Sequence, residues 1–459
     1  MVTRGMRRTL ALTLLITLAG ATFWAQWGFD LYYRQGGVNA WAPTATAEKA
    51  DGTTHSSALM ARGQYLARVG NCVFCHTAPG GAMLAGGRAI QTPFGTVFTS
   101  NLTPDPLHGM GRWTPDDFWQ ALHLGLGADG QRLSPAFPYT SYTRITRADA
   151  DALWAFLQSV PAVPQPPTNA QMVWPFGSQT ALGFWRAWYF RPFQNANELA
   201  APAGTDPIAW TRGRYLVEGL GHCDECHSPR DALGGMREAK RGSGGVLPGL
   251  PWYAPSLRDA AQAGTTDLAA AESFLQTGQG AGRFAAGPMA EVVLHGTQYL
   301  NDQDAHAMAV YLQSLVVNQA GDKGTPTIRQ SASQGHVSVN TNTDLAPAHL
   351  PGADSYKQHC ANCHGENGEG RTQVYPALAA NRALLMDKPN NAVLSVLYGG
   401  FAPSTQGHAR PFGMPPYMLE LSNAQIAQVL TYARSAWGNQ ATPITELQVQ
   451  SVRDPKQRR

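Results

Sequence analysis

With 459 residues the chain is long enough for roughly three domains of ordinary size. Charged residues are only 14% of it while Gly 48 and Pro 32 are abundant, which excludes a disordered polyelectrolyte and favours loop-rich domains. A formal net charge of +3 without a clustered basic patch gives no footprint for nucleic acid.

The N-terminus sets the compartment. Arg4, Arg7 and Arg8 precede an uncharged run from Thr9 to Trp27, the pattern of a Sec-type export signal. Ala19-Gly20-Ala21 offers a cleavage site. The run is also about long enough to span a bilayer, with Trp24 and Trp27 suited to its interface, and an uncleaved anchor is the favoured reading. Residues 1–56 are therefore expected to be signal or anchor plus a Gly-, Ala- and Thr-rich tether, with the body exported.

Met60-Ala61-Arg62-Gly63-Gln64-Tyr65-Leu66 then leads into Cys72-Val73-Phe74-Cys75-His76. Thr211-Arg212-Gly213-Arg214-Tyr215-Leu216 leads into Cys223-Asp224-Glu225-Cys226-His227, and Asp354-Ser355-Tyr356-Lys357 into Cys360-Ala361-Asn362-Cys363-His364. Each motif is C-x-x-C-H, the attachment signature of c-type haem. Two thiols on one turn can bond to the two vinyl groups, and the adjacent imidazole supplies the proximal iron ligand. The three motifs use all six cysteines and predict three haems c. A zinc site would bring Cys pairs together in fours, and a thioredoxin-like motif would occur once beside a βαβ pattern, so both fit less well; structural disulfides are the remaining alternative. The haem propionates bring the loaded chain near neutrality or below. Attachment of haem c needs reduced thiols beyond the membrane, which points to the periplasmic face of a bacterial inner membrane.

The units also end alike. Asp149 to Leu157, Asp302 to Leu312 and Asn423 to Tyr432 show helical apolar spacing after an acidic or N-cap-like start. Each unit reads as helix, haem motif, long loop and closing helix. The expected fold is all-α, with three tandem class I cytochrome c-like domains at residues 57–165, 201–318 and 351–440. The linker from Val160 to Thr168 carries Pro161, Pro164, Pro166 and Pro167 and should be stiff. Residues 319–350 read as a polar surface connection and 441–459 as a mobile tail. Residues 166–200 hold an aromatic linker with Trp174, Phe176, Phe184, Trp185, Trp188, Tyr189, Phe190 and Phe193, flanked by Arg186 and Arg191. It is expected to pack domains one and two together; the competing reading is a surface for the membrane, a partner subunit or a quinone.

An electron-carrying haem usually has a second axial ligand, and a thioether raises its potential. Met289 in Gly287-Pro288-Met289 and Met414 in Gly413-Met414-Pro415-Pro416 occupy the same slot of two units, before the closing helix. Unit one departs: Phe137 stands in the slot Ser134-Pro135-Ala136-Phe137-Pro138-Tyr139 and cannot bind iron. Met83, His108, Met110 and His123 are the other candidates there. Met110 reads as a packed turn residue and the histidines as structural or surface groups, so the first haem is five-coordinate or has an unassigned sixth ligand.

These stretches resemble the cytochrome c subunits of membrane-bound bacterial alcohol, gluconate and aldehyde dehydrogenases. The resemblance runs through Cys72-Val73-Phe74-Cys75-His76-Thr77-Ala78-Pro79-Gly80, Thr92-Pro93-Phe94-Gly95, Ser100-Asn101-Leu102-Thr103-Pro104-Asp105, the Phe137 slot, Gly287-Pro288-Met289 and Arg410-Pro411-Phe412-Gly413-Met414-Pro415-Pro416. It implies a non-catalytic subunit that relays electrons from a catalytic dehydrogenase to ubiquinone or a terminal oxidase. The alcohol branch usually has Met where this chain has Phe137. The Phe form looks closer to subunits that accompany molybdenum-hydroxylase-type aldehyde or N-heterocycle dehydrogenases, with an iron–sulfur subunit; quinoprotein and flavoprotein partners stay open. A free-standing multihaem carrier and a haem peroxidase are the alternatives.

Overall fold

The structure, a computed structural model, describes residues 56–194, 200–259, 267–280, 282–317 and 350–453. The expected signal or anchor and nearly all of the polar linker lie outside these residues. Among the described residues no helix is long and apolar enough to cross a membrane. The chain divides into two compact units. One comprises residues 1–199, 218–225 and 230–239, and the other residues 200–217, 226–229 and 240–459.

In the first unit the leading helix Ser57–Val69 starts where the Ser56 hydroxyl accepts from the Leu59 N–H. Its apolar face (Leu66, Ala67, Val69) is buried, as is that of the closing helix Arg147–Ser159. The two helices cross at Gly63, where a Cβ would lie 1.9 Å from the Ala152 carbonyl oxygen. Beside the crossing the Arg62 Nε donates to Asp149 Oδ1 at 2.6 Å.

The second compact unit repeats this arrangement. The helix Pro207–Arg214, capped by Asp206, meets the closing helix Asp302–Val317 at Gly213, where a Cβ would lie 1.9 Å from the Ala307 oxygen. Arg212 grips Asp304 with two hydrogen bonds of 2.7 Å. In the third repeat the helix Ala353–His359 meets Asn423–Ser435 through Gly352, with a Cβ position 2.3 Å from the Gln428 oxygen. Here Pro351 stands where the other repeats have arginine, and the ion pair is not formed from that position.

Helices carry the core, but the all-α expectation needs amending. Short antiparallel pairs order the loops: Ala89–Thr92 with Gly95–Phe98, extended by Gln171–Met172, then Gly245–Val246 with Tyr253–Ala254, Gln279–Gly280 with Arg283–Phe284, and Gly400–Phe401 with Gly413–Met414. Long loops that hold a site must pair their main-chain polar groups somewhere, and a two-residue ladder does so without a core of its own. The tail expectation is also corrected. Residues 446–453 form the helix Glu446–Arg453, and Ile444, Val449 and Val452 are buried in the third repeat's core. Polar average composition hid an apolar stripe spaced for one helical face.

The aromatic linker contains the helix Gln179–Tyr189, started by the Ser178 hydroxyl. Arg186 is buried, donates to the Leu124 carbonyl at 2.6 Å, and stands over the Tyr139 and Phe190 rings at 5.4 and 4.9 Å. The Trp185 indole N–H donates to the Leu233 carbonyl and the Tyr189 hydroxyl to Asp231, at 3.0 and 2.9 Å. The linker therefore packs the first repeat onto the loop that follows the second motif, while Trp174 and Trp188 remain 86% and 59% exposed.

Gly63→Ala should lower stability by about 1–3 kcal/mol, because the new methyl meets main-chain oxygen and no side chain can yield. Denaturant unfolding measures it; a loss below ~0.5 kcal/mol would mean the helices separate freely.

Candidate haem-binding sites

None of the six cysteines is in a disulfide, and all are half-buried. Cys72–Cys75 is a single helical turn that follows Asn71 in a left-handed conformation (φ 56°). The His76 N–H donates to the Cys72 carbonyl at 2.9 Å, and His364 makes the same bond to Cys360 at 2.9 Å. One turn places the two thiols of a motif on one side with the histidine following them. Burial, with the neighbouring Cys75, pushes the Cys72 thiol up to about 12; burial and Cys363 push Cys360 up to about 11. These thiols are held protonated in apolar surroundings. Among the described residues no three His, Cys, Asp or Glu side chains gather into a metal cluster, so the pairs do not assemble in fours as zinc requires.

The histidines share one geometry. His76 Nδ1 bonds the Ser100 carbonyl at 2.7 Å, His227 Nδ1 the Pro255 carbonyl at 2.7 Å, and His364 Nδ1 the Pro376 carbonyl at 2.8 Å. A carbonyl can only accept, so each Nδ1 must carry the proton, which leaves Nε2 with the lone pair a metal needs. Burial also holds His76 and His364 below the ordinary histidine range, opposed only in part by those same hydrogen bonds, and keeps both neutral at pH 7. Two thiols on one turn followed by an oriented neutral imidazole fit a covalently held haem.

A glycine closes each site. The N–H of Gly86, Gly244 and Gly370 donates to the carbonyl of His76, His227 and His364 at 2.7, 2.8 and 2.7 Å. All three adopt positive φ (76°, 80° and 66°), and a Cβ on any of them would strike the segment that carries the acceptor carbonyl. The acceptors and glycines were missed in the sequence. Their signal is a repeat: Ser100-Asn101-Leu102, Pro255-Ser256-Leu257 and Pro376-Ala377-Leu378 each place leucine two residues after the acceptor.

Met289 lies in the first turn of the helix Pro288–His295 and packs on a small core of Ala285, Ala290 and Val293. The preceding Gly287 (φ 52°) leaves its Cβ space to the Trp252 ring, 2.6 Å away. Met414 sits on the pair Gly400–Phe401 with Gly413–Met414, half-buried against the third core. In the first repeat Phe137 is half-buried and meets the Tyr142 ring edge-on at 5.4 Å. Met110 is 4% exposed, a packed turn residue as expected, whereas Met83 is 50% exposed. His108 is half-buried, its N–H donating to Asp105. His123 lies flat on Trp119 at 4.7 Å, has a buried Nδ1 without a hydrogen-bond partner, and is pushed down to about 4 by burial against an opposing backbone hydrogen bond at Thr143.

A cytochrome c family model matches residues 350–437, which contain the third motif and Met414. The chain is 38% identical over 423 residues to the cytochrome c subunit of the quinone alcohol dehydrogenase of Gluconacetobacter polyoxogenes, covering 90% of this chain and 87% of that protein. The chain belongs to the family of cytochrome c subunits of alcohol, gluconate and related dehydrogenases. As a member it is an electron-transfer subunit with covalently bound haem c. The gluconate 2-dehydrogenase cytochrome c subunit of Pantoea cypripedii is 35% identical over 414 residues, with 87% of this chain and 90% of that one covered. One of the nicotinate dehydrogenase subunits of Pseudomonas putida is 37% identical over 385 residues; the match takes in 83% of this chain but only 30% of that longer protein.

Gly370→Ala should displace Ala377 and the Pro376 carbonyl from His364 Nδ1, weaken the imidazole as a donor and raise the potential of a haem bound at this motif. Spectroelectrochemical titration reads the shift. A native potential would show that the carbonyl orients the ring without tuning the iron.

Proposed function

We propose that this subunit holds three haems c, bound through Cys72 and Cys75, Cys223 and Cys226, and Cys360 and Cys363. His76, His227 and His364 are the proximal ligands, and Met289 and Met414 complete the second and third sites. The observation that carries this reading is the threefold recurrence of the Nδ1-to-carbonyl bond with its glycine closure, because a coincidental C-x-x-C-H would have no reason to orient its imidazole. The haems supply one-electron chemistry; the chain supplies spacing, orientation and burial. In the first site the slot residue Phe137 supplies no thioether.

The subunit stands at the periplasmic face of the inner membrane and receives electrons from a catalytic dehydrogenase subunit for ubiquinone or a terminal oxidase. The charge pattern before Thr9 and the family membership support that placement. For the substrate, identity does not choose, since the alcohol and nicotinate relatives stand at 38% and 37%. Phe137 favours the molybdenum-hydroxylase type, with an aldehyde or N-heterocycle as substrate and an iron–sulfur subunit between. Purification of the native complex under mild detergent, with subunit and metal analysis and assays on aldehyde, N-heterocycle and alcohol, tests it. Molybdenum with aldehyde- or heterocycle-driven haem reduction is expected. A quinoprotein or flavoprotein with alcohol activity would overturn the substrate class, and absence of any catalytic partner would leave a free-standing carrier.

Two substitutions test the ligand assignment. Met414→Ala should abolish the ferric sulfur-to-iron charge-transfer band of one haem and lower its potential. Phe137→Met should add such a band to the first haem and raise its potential. Unchanged spectra in Met414→Ala would remove Met414 from the iron.

A further inference from the structure

One contact between the first repeat and the second motif serves neither a helix crossing nor the imidazole geometry. The Gly70 carbonyl accepts from the Tyr142 hydroxyl at 3.4 Å, and Gly70 stands two residues before Cys72 in the chain. Tyr142, 6% exposed, stacks its ring on His222 with centroids 5.5 Å apart and planes 19° from parallel. His222 is bonded directly to Cys223. A continuous path thus runs from Cys72 through Gly70, Tyr142 and His222 to Cys223, all within the first compact unit.

The stack is held from both sides. On one side Arg144 Nε meets Glu218 Oε2 at 3.2 Å, and Leu220 packs on Gly70, its Cδ1 3.1 Å from where a Cβ would stand. On the other, the hydroxyls of Thr140 and Ser141 donate to Glu225 Oε1 at 2.8 and 3.2 Å while Arg230 binds the other carboxylate oxygen. Partly buried carboxylates cost desolvation, and such contacts are best suited to fixing a register. The register they fix puts Tyr142 face to face with His222. A contact needed for packing alone could be apolar, whereas this one is framed by charged and hydrogen-bonded side chains.

We propose that the Tyr142–His222 stack is the electron bridge between the first and second haem sites. The proposal rests on the three-haem reading above. Each transfer oxidises one ferrous iron to ferric and reduces the ferric iron at the other site. No bond forms or breaks, and neither ring gains or loses a proton.

The test uses the full haem-loaded chain. Haems are first counted by mass and pyridine haemochrome, the individual potentials are titrated, and inter-haem transfer is timed after flash reduction. Tyr142→Leu keeps an apolar side chain and removes the ring; His222→Asn keeps a residue that tolerates left-handed backbone and removes the imidazole. Both should slow transfer by about tenfold or more at unchanged potentials. Tyr142→Phe, which keeps the ring but loses the hydroxyl that reaches the Gly70 carbonyl, should slow transfer less than Tyr142→Leu. A merely structural role would change haem loading or unfolding without slowing transfer between intact haems. If Tyr142→Leu fails to load, His222→Asn decides alone. Native rates in the ring-deleting variants that load three haems overturn the bridge. Fewer than three haems on the native chain would instead overturn the three-haem reading.

Discussion

The bond from a buried imidazole Nδ1 to a main-chain carbonyl is the contact on which the site geometry depends. Free rotation about the side chain would let either ring nitrogen face the thiols. The carbonyl admits only the N–H, so it settles the tautomer and the plane of the ring together. The carbonyl itself must then be held. Its segment packs against a glycine whose amide donates to the histidine's own carbonyl, which makes a closed ring of main-chain contacts around each motif. Only glycine fits there, because the ring closes at positive φ with main chain in the place of Cβ.

That ring is anchored to helices whose mutual position is fixed by close backbone approach. At Gly63 and Gly213 the crossing leaves no room for a side chain, and an Arg–Asp pair lies beside each. The third repeat keeps the glycine and loses the arginine to Pro351, yet its closing helix is braced another way. Arg434 is buried there and donates to the Thr442 carbonyl at 2.8 Å, tying the segment before Glu446–Arg453 to the closing helix. An ion pair joins the leading and closing helices in two repeats, and in the third a buried arginine ties the closing helix to the segments at Leu384 and Thr442 instead.

This contrast explains what was legible in the sequence. The C-x-x-C-H motifs and the closing helices were readable because side-chain identity and apolar period carry them. The acceptors at Ser100, Pro255 and Pro376 were not, since a carbonyl belongs to every residue and leaves no letter in the sequence. The hairpins escaped for a related reason: ladders such as Gly245–Val246 with Tyr253–Ala254 are too short for an alternating pattern. Arg186 read as a charged flank of an aromatic helix and lies instead at its buried centre, because its charge is satisfied by a carbonyl and two ring faces. The final helix was hidden by the polar average of residues 441–459, although Val449 and Val452 already stood three apart on one face.

The repeat breaks most clearly at Phe137, and the break has a neighbour. Where the second and third repeats present methionine, the first presents a ring whose edge meets Tyr142, and Tyr142 in turn faces His222. A thioether is flexible and adapts to irregular gaps; an aromatic ring is rigid and holds its neighbour at a set angle. Phenylalanine at this position therefore supplies no iron ligand but gives the Tyr142 ring a fixed backing. The first repeat departs from the pattern where its loop meets the second motif, so the departure is better understood as a property of that contact than as the loss of a ligand.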